Sequence, residues 1–200
     1  MRHTIPTEKQ ILEARSRIEP YVHKTQVLTC QLINQLVKNK LFFKCENFQK
    51  AGAFKSRGAL NALLCLNMKD RKHGVATHSS GNHAQALARA AQILNIPAYV
   101  VMPENSPKVK IEAVKAYGGK ITFCKATLEA RETTLAQIIM KTQAVEIHPY
   151  DNYEVITGQA TAAAELFDQA PQLDYLLCPV GGGGLLSGTA LSRVYFSELT

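Results

Sequence analysis

The sequence predicts an α/β protein in which helices flank a parallel β-sheet. Short apolar segments, such as residues 74–78 and 98–102, alternate with longer segments of helical periodicity, such as residues 82–94. Parallel strands need long crossover connections, which are usually helices, so this alternation indicates repeated βαβ units. Two junctions between a strand and a helix carry loops rich in Gly or Ser, where open α/β sheets bind their ligands.

The predicted elements follow in chain order. Thr7 and Gln10 fit a capping box, which predicts a helix that begins there and stops before Pro20. Helices are then expected at residues 29–38, 54–66, 82–94, 108–117, 128–141, 153–169 and 185–196. Strands are expected at residues 41–45, 74–78, 98–102, 120–124, 144–147 and 174–180.

Composition excludes several classes of protein. The 200 residues are 46% hydrophobic and 20% charged, which does not fit a disordered chain. No apolar run approaches the ~18 residues that span a bilayer, and the N-terminus lacks the apolar core of a secretory signal. We therefore expect a cytoplasmic protein with no membrane association.

Charge and cysteine content argue against two further kinds of partner. The net charge of +7 comes from the first third of the chain, where Lys9, Arg15, Lys44 and other basic residues are dispersed singly, without interleaved aromatics. We interpret them as a solvated basic face and expect no nucleic-acid partner. The five cysteines never form a CxxC pair, which predicts small apolar residues and neither disulfides nor a metal site.

The chain ends at Thr200, a few residues after the last predicted helix and without a further strand. A parallel sheet whose last strand enters a glycine loop usually continues. We expect either a C-terminally truncated protein or a short gene product.

Four consecutive glycines, residues 181–184, lie between the last predicted strand and the last predicted helix. Without Cβ atoms, their N–H groups can turn inward around an anion, assisted by the positive end of the helix dipole. The run matches neither the dinucleotide nor the P-loop fingerprint, which argues against a nucleotide-binding protein. A merely flexible turn is the alternative interpretation.

Two other segments carry reactive side chains. Ser79, Ser80 and Asn82 follow a predicted strand, where they either contact a ligand or simply cap the next helix. Lys55 lies at the start of a helix, directly after Phe54, where a positive charge is electrostatically unfavourable. It is either a surface lysine or an amine whose pKa is lowered, which suits Schiff-base chemistry.

Taken together, the three segments supply a nucleophilic amine, a polar loop and an anion cradle. This set suits pyridoxal 5′-phosphate (PLP), an aldehyde that carries a phosphate.

The sequence resembles the serine racemase and threonine (serine) dehydratase family of fold-type II PLP enzymes, which have the tryptophan synthase β-like fold. The resemblance rests on residues 44–50, 52–59, 77–86, 148–151, 158–161 and 179–184. It covers essentially the whole chain but only about the first two thirds of a usual family member.

The resemblance implies a role for each site residue. Lys55 would hold the cofactor as a Schiff base beside Phe54, and Asn82 would bond its ring hydroxyl. The phosphate would lie against Gly181, Gly182, Gly183, Gly184 and Leu185. Ser79, Ser80, His83 and Arg131 would receive the substrate, and Ser80 would exchange a proton on the face opposite the lysine. Lys50 and Gln85 match an effector-nucleotide site in the mammalian racemase.

The resemblance also implies two lobes and an activity. Residues 1–71 and 152–200 would form one incomplete large lobe, and residues 72–151 the small lobe.

The expected enzyme is a dehydratase of L-serine or L-threonine, with serine racemisation as a second activity. Ser80 favours racemases, whereas Tyr150 and Asp151 favour dehydratases. A threo-3-hydroxyaspartate dehydratase is one alternative. The other is a catalytically impaired remnant that only binds cofactor or pairs with another subunit. A homodimer is expected, and the divalent-cation ligands of full-length relatives would lie beyond Thr200.

Overall fold

The computed structural model describes residues 4–197, and it has the predicted α/β architecture. Four strands form a parallel sheet in the order β5-β4-β3-β6: β3 (Val75–His78), β4 (Ala98–Pro103), β5 (Lys120–Cys124) and β6 (Val145–Glu146). Their carboxyl ends meet at one edge, so the loops that follow β3 and β6 are neighbours. A second, two-stranded sheet pairs β1 (Val27–Leu28) with β2 (Phe43–Lys44) in antiparallel fashion.

The helices account for most of the remaining chain. They are α1 (Glu8–Ile18), α2 (Gln31–Val37), α3 (Lys55–Leu64), α4 (Met68–His73), α5 (Asn82–Leu94), α6 (Lys108–Ala116), α7 (Leu128–Thr142), α8 (Tyr153–Gln169) and α9 (Gly184–Phe196). The capping box of α1 is confirmed. The backbone N–H of Thr7 donates to Gln10 Oε1 at 2.8 Å, and the Gln10 N–H donates back to Thr7 Oγ1.

The largest apolar core joins α3 to the parallel sheet. Leu60 and Leu63 of α3 pack with Val75 of β3, Leu87 of α5 and Ile147 after β6, and all five are buried. Burying such side chains stabilises the fold by roughly 1.5–3 kcal/mol each. The core therefore holds α3 against the parallel sheet and α5.

Helices α3 and α8 approach so closely that glycine is required at their crossing. A Cβ on Gly158 would lie 2.6 Å from Gly58 Cα and 2.7 Å from the carbonyl oxygen of Arg57. Neither backbone can yield, because both belong to buried helices. The crossing fixes α3, and with it Lys55, against α8.

The predicted strand at residues 174–180 is wrong. This segment has no strand structure and pairs with no other strand within residues 4–197. Tyr175 and Leu177 are 87% and 89% exposed. An apolar segment forms a strand only where a neighbouring backbone supplies hydrogen bonds, and the described residues supply none here.

Several boundaries also differ from expectation. The helix predicted at residues 54–66 ends at Leu64, and a separate helix, α4, begins after Asn67, whose Oδ1 caps it by accepting from the Asp70 N–H at 2.8 Å. The strand predicted at 41–45 shortens to β2, and its partner β1 was not predicted.

The cysteine prediction is confirmed in part. All five cysteines are unpaired, but only Cys45 and Cys124 are buried, and Cys65 is exposed. Within residues 4–197, no helix is long and apolar enough to cross a membrane.

Candidate active site

Lys55 begins α3 at the end of a tightly held turn. Ala51 and Gly52 adopt left-handed backbone angles, with φ of 55° and 67°, so the chain reverses direction just before the helix. The buried side chain of Gln49 holds the turn in place. It accepts from the N–H of His23 at 2.8 Å and donates to the carbonyl oxygen of the same residue at 2.7 Å. The position of Lys55 is thus set by backbone geometry.

The amino group of Lys55 is partly removed from water. Its Nζ donates a 2.6 Å hydrogen bond to the carbonyl oxygen of Pro149 and lies 5.3 Å from the centroid of the Phe54 ring. Burial lowers the pKa of Lys55 to about 8, because it disfavours the charged form. Lys55 is therefore not an ordinary surface lysine, and its lone pair is available much nearer to neutral pH.

The loop between β3 and α5 places polar side chains at the sheet edge. The Ser79 N–H donates to the Val101 carbonyl oxygen at 3.0 Å, and Ser79 Oγ accepts from the Gly81 N–H at 3.3 Å. Gly81 occupies the N-cap position, and no side chain caps α5. The interpretation of this loop as a helix-capping cluster is therefore wrong. Ser80 is half-buried and Asn82 is exposed, so neither is used by the helix cap.

His83, in the first turn of α5, is held in one protonation state. It is 2% exposed, and its Nε2 lies 3.1 Å from the carbonyl oxygen of Ile147. Burial, and next the positive charge of Lys55, lower the pKa of His83 to about 3. The ring is therefore neutral. Because a carbonyl only accepts, Nε2 carries the proton and Nδ1 is a free acceptor with no partner among the described residues.

Residues 147–151, which we call the bridging segment, follow β6 and connect the site residues. The Ile147 carbonyl oxygen accepts from His83, and the Pro149 carbonyl oxygen accepts from Lys55. One short stretch of backbone therefore contacts both the start of α3 and the start of α5.

Aromatic rings extend the contacts of the bridging segment. His148 Nδ1 accepts from the Asp151 N–H at 2.8 Å and so holds the turn of the segment. The His148 ring meets the Tyr150 ring edge-to-face, with centroids 4.5 Å apart, and lies 6.0 Å from the His78 ring at the end of β3. These contacts place Tyr150 between the sheet edge and the glycine run.

The glycine run forms a bend that ends in α9. Gly183 has a φ of +91°, a left-handed conformation that suits glycine. A Cβ on Gly182 would lie 2.1 Å from Tyr150 Cδ1, and one on Gly184 would lie 3.0 Å from Tyr150 Cα. The bend therefore lies directly against the bridging segment, which also contacts Lys55.

The bend and the start of α9 together make a suitable anion cradle. The first N–H groups of a helix have no partner within the helix, and the helix dipole is positive at this end. Leu185, in the first turn of α9, lines a cavity of about 220 Å³ together with Phe54. Ala162 and Leu166 of α8 are among the other apolar residues that line this cavity.

Arg131 lies on α7, which packs against β3, β4 and β5. Its Nε is buried and has no hydrogen-bond partner within residues 4–197. Burial chiefly lowers the pKa of His78, and the charges of His148 and Arg131 lower it further. Arg131 is thus near His78, but within residues 4–197 no hydrogen bond joins it to Lys55.

A comparison with protein families decides the identity of the chain. The family model described as "Pyridoxal-phosphate dependent enzyme" matches residues 18–193. The chain belongs to this family.

The relatives agree with this assignment. The chain is 53% identical over 186 residues to a serine racemase of Dictyostelium discoideum, covering 93% of this chain and 57% of the relative. It is 47% identical over 188 residues to a beta-hydroxyaspartate dehydratase of Paracoccus denitrificans, covering 94% of this chain and 60% of that relative. The crystal structure of the Dictyostelium serine racemase superposes with a TM-score of 0.89 at 52% identity, covering 94% of this chain and 61% of that chain. The chain thus spans somewhat over half the length of these relatives.

The site fits the cofactor of this family in three respects. PLP needs an amine with a low pKa for its aldehyde, and Lys55 has one. It needs backbone N–H groups for its phosphate, and Cβ atoms on Gly181 and Gly183 would meet nothing within 4 Å, so the bend is open there. It needs polar groups around its ring, and Asn82 and the free Nδ1 of His83 are available.

Sequence reasoning missed the contacts made by the bridging segment. It recognised residues 148–151 as a motif but did not predict that Pro149 contacts Lys55 or that Tyr150 covers Gly182. It also missed the 2.6 Å hydrogen bond from Lys110 Nζ to Asn82 Oδ1. These residues are far apart in sequence, and no periodic pattern links them.

The interpretation of Lys44 as part of a solvated basic face is wrong. Its side chain is 9% exposed and pairs with Glu165 on α8. Glu165 also binds Arg57, which in turn pairs with Glu46 at 2.7 Å. The four residues form a buried charge cluster behind the start of α3. Its only sequence signal was one glutamate within the apolar run of α8.

Proposed function

We propose that this chain is part of a PLP-dependent dehydratase (ammonia-lyase) that acts on a small β-hydroxy amino acid such as L-serine or L-threonine. The observation that carries the proposal is the position of Lys55. Its pKa is lowered to about 8, and its Nζ bonds the same bridging segment that packs against the glycine bend. An amine and an anion cradle on one short backbone segment suit an aldehyde that carries a phosphate.

Each residue has a distinct task in this proposal. Lys55 would hold the coenzyme, and in the presence of substrate its free amino group would take the proton from the substrate Cα. When bound, the coenzyme withdraws the electron pair that this proton leaves behind. The N–H groups of the glycine bend and of Leu185 would bind the phosphate, and Phe54 and Leu185 would cover apolar surface of the coenzyme. Asn82 would donate to the ring hydroxyl.

The substrate side of the site uses the loop after β3. The N–H and hydroxyl groups around Ser79 and Ser80 lie at the start of α5, where the helix dipole favours a carboxylate. Breaking the Cα–H and Cβ–O bonds leads, with uptake of one water and release of another, to a 2-oxo acid and ammonia. Racemisation is the second outcome, in which the Ser80 hydroxyl returns a proton to Cα before the Cβ–O bond breaks.

A second candidate substrate is threo-3-hydroxyaspartate. Arg131 supports it, because a buried guanidinium nitrogen without a partner is costly unless a ligand group pairs with it. The additional carboxylate of hydroxyaspartate is such a group. The same substrate class appears in the name of the Paracoccus relative.

We also propose the division into two lobes, residues 1–71 with 152–200 and residues 72–151. It is supported by the position of all four parallel strands, which lie between Val75 and Glu146. A homodimer in the cytoplasm completes the proposal and rests on the resemblance to the family.

The experiment is an assay of 2-oxo acid formation by the purified protein with added PLP. L-Serine, L-threonine and threo-3-hydroxyaspartate are compared, each with wild type, Lys55→Ala and Lys72→Ala. We expect activity in wild type and Lys72→Ala and a loss of at least about a hundredfold in Lys55→Ala. Equal rates for wild type and Lys55→Ala would remove Lys55 from the reaction, and no turnover of any substrate would reject the activity.

A further inference from the structure

The side-chain amide of Asn82 is oriented by a neighbouring helix. Lys110 Nζ, in the first turn of α6, donates a 2.6 Å hydrogen bond to Asn82 Oδ1. Asn82 is the first residue of α5, and its side chain takes no part in capping the helix. No acceptor contacts Asn82 Nδ2 in the part of the chain that the structure describes.

The chemistry of lysine fixes which end of the amide faces the site. An ammonium group can only donate, so Lys110 must bind the oxygen of Asn82. The NH₂ group then points away from Lys110 and is available as a donor. Without Lys110, the oxygen and nitrogen of this exposed amide could exchange places, because solvent satisfies both ends equally well.

The two helices that carry this contact are packed firmly against each other. Val114 of α6 packs with Ala84 and Ala88 of α5 in a buried cluster, and Ile111 packs against it. The contact between Lys110 and Asn82 therefore lies at the end of a rigid helix pair. Both residues also lie within residues 72–151, so a movement of this part as one body would preserve the contact.

We propose that Lys110 is a positioning residue that presents the NH₂ group of Asn82 to the ring oxygen of the coenzyme. This inference rests on the proposed function, in which Asn82 donates to that oxygen. An oxygen with anionic character accepts from NH₂ but is repelled by an amide oxygen, so the orientation decides the sign of the interaction. The positive charge of Lys110, which is hydrogen-bonded to the amide oxygen, polarises the amide in the same direction.

The test compares three variants of the purified protein. Lys110→Met removes the ammonium and keeps the length of the side chain, whereas Lys110→Arg keeps a group that can only donate. Lys108→Met is the matched control, since Lys108 is an exposed lysine in the same helical turn. The first readout needs no coenzyme: the side-chain amide resonances of Asn82 in ¹⁵N-labelled protein.

The second readout is titration with PLP, followed by the absorption maximum of the bound coenzyme and the pH midpoint of its spectral change. We expect Lys110→Met to shift or broaden the Asn82 amide signals, to weaken binding about 3- to 10-fold and to move the spectral midpoint. Lys110→Arg and Lys108→Met should resemble wild type. A merely structural role would leave the spectrum unchanged.

The outcomes separate this inference from the proposed function. If wild type binds PLP through Lys55 but Lys110→Met shows the same amide signals and spectrum, the role of Lys110 is rejected alone. If wild type shows no absorbance that depends on Lys55, the proposed function and the role of Lys110 toward the coenzyme both fail. In that case, the amide signals still report whether the contact itself exists.

Discussion

Lys55 Nζ donates a hydrogen bond to the carbonyl oxygen of Pro149, 94 residues away in the sequence. This contact joins the start of α3 to the bridging segment, whose next residue, Tyr150, packs against the glycine bend. The reactive amine and the anion cradle are therefore attached to one another through two consecutive residues. A substitution on either side of this connection should therefore alter the structure on the other side.

The lowered pKa of Lys55 predicts how cofactor uptake depends on pH. The unprotonated amine attacks the aldehyde, so the rate should rise about tenfold per pH unit below pH 8 and level off above it. An unshifted lysine with a pKa of 10.5 would give a rate that still rises at pH 9 to about 10. Stopped-flow absorbance after mixing with PLP measures this rate, with Lys55→Ala as the background.

The contact between Tyr150 and the glycine bend predicts different effects for two neighbouring glycines. Gly182→Ala would place a Cβ against the Tyr150 ring and should lower the free energy of unfolding by about 1–3 kcal/mol. Gly181→Ala meets nothing within 4 Å, which makes it the control for loss of glycine alone.

Adding Tyr150→Ala to Gly182→Ala should remove most of this penalty. Urea unfolding of the four proteins measures it as a double-mutant cycle. Strictly additive effects of the two substitutions would show that the ring and the bend are not in contact.

The buried charge cluster predicts a large cost for removing one member. Arg57 is 1% exposed and pairs with Glu46 and Glu165. Arg57→Leu leaves Glu46 without its ion-pair partner and leaves Glu165 with Lys44 alone, so we expect a loss of about 3–5 kcal/mol in the free energy of unfolding.

Arg15→Leu breaks an exposed pair with Asp168 and should cost no more than about 1 kcal/mol. Chemical denaturation of both variants gives the comparison. Equal costs for the two variants would contradict the description of the cluster as buried and paired.

The role proposed for Ser80 predicts that racemisation can be separated from 2-oxo acid formation. Ser80→Ala removes the second proton carrier and should reduce D-serine formation by at least about a hundredfold, while 2-oxo acid formation continues. Lys72→Ala, an exposed lysine outside the proposed site, is the control. Chiral chromatography and a 2-oxo acid assay on the same samples measure the ratio. Parallel loss of both products in Ser80→Ala would contradict this division of roles.

Local patterns predicted most of the fold. The capping box at Thr7 and the alternation of strands and helices in residues 74–147 were sufficient, because each element follows from its own sequence. The segment 174–180 could not be predicted in this way. Its apolar pattern describes a strand, but strand formation depends on a neighbouring backbone that the pattern does not reveal.

The candidate site was predictable residue by residue but not as an arrangement. Lys55 and the glycine bend each have a local signal, a lysine after a turn and four glycines before a helix. The contacts that join them run through Pro149, whose backbone oxygen has no sequence signature. Lys44 was misinterpreted for a related reason, since its buried partner Glu165 lies 121 residues further along the chain.

In the proposed function, Lys55 forms the covalent bond to the PLP aldehyde. The most direct measurement is reduction of the protein–PLP mixture with borohydride, followed by proteolysis and mass mapping of the pyridoxyl label. We expect a single major label, on the peptide that contains Lys55, and its loss in Lys55→Ala. A label on another lysine, or no label in wild type, would contradict it.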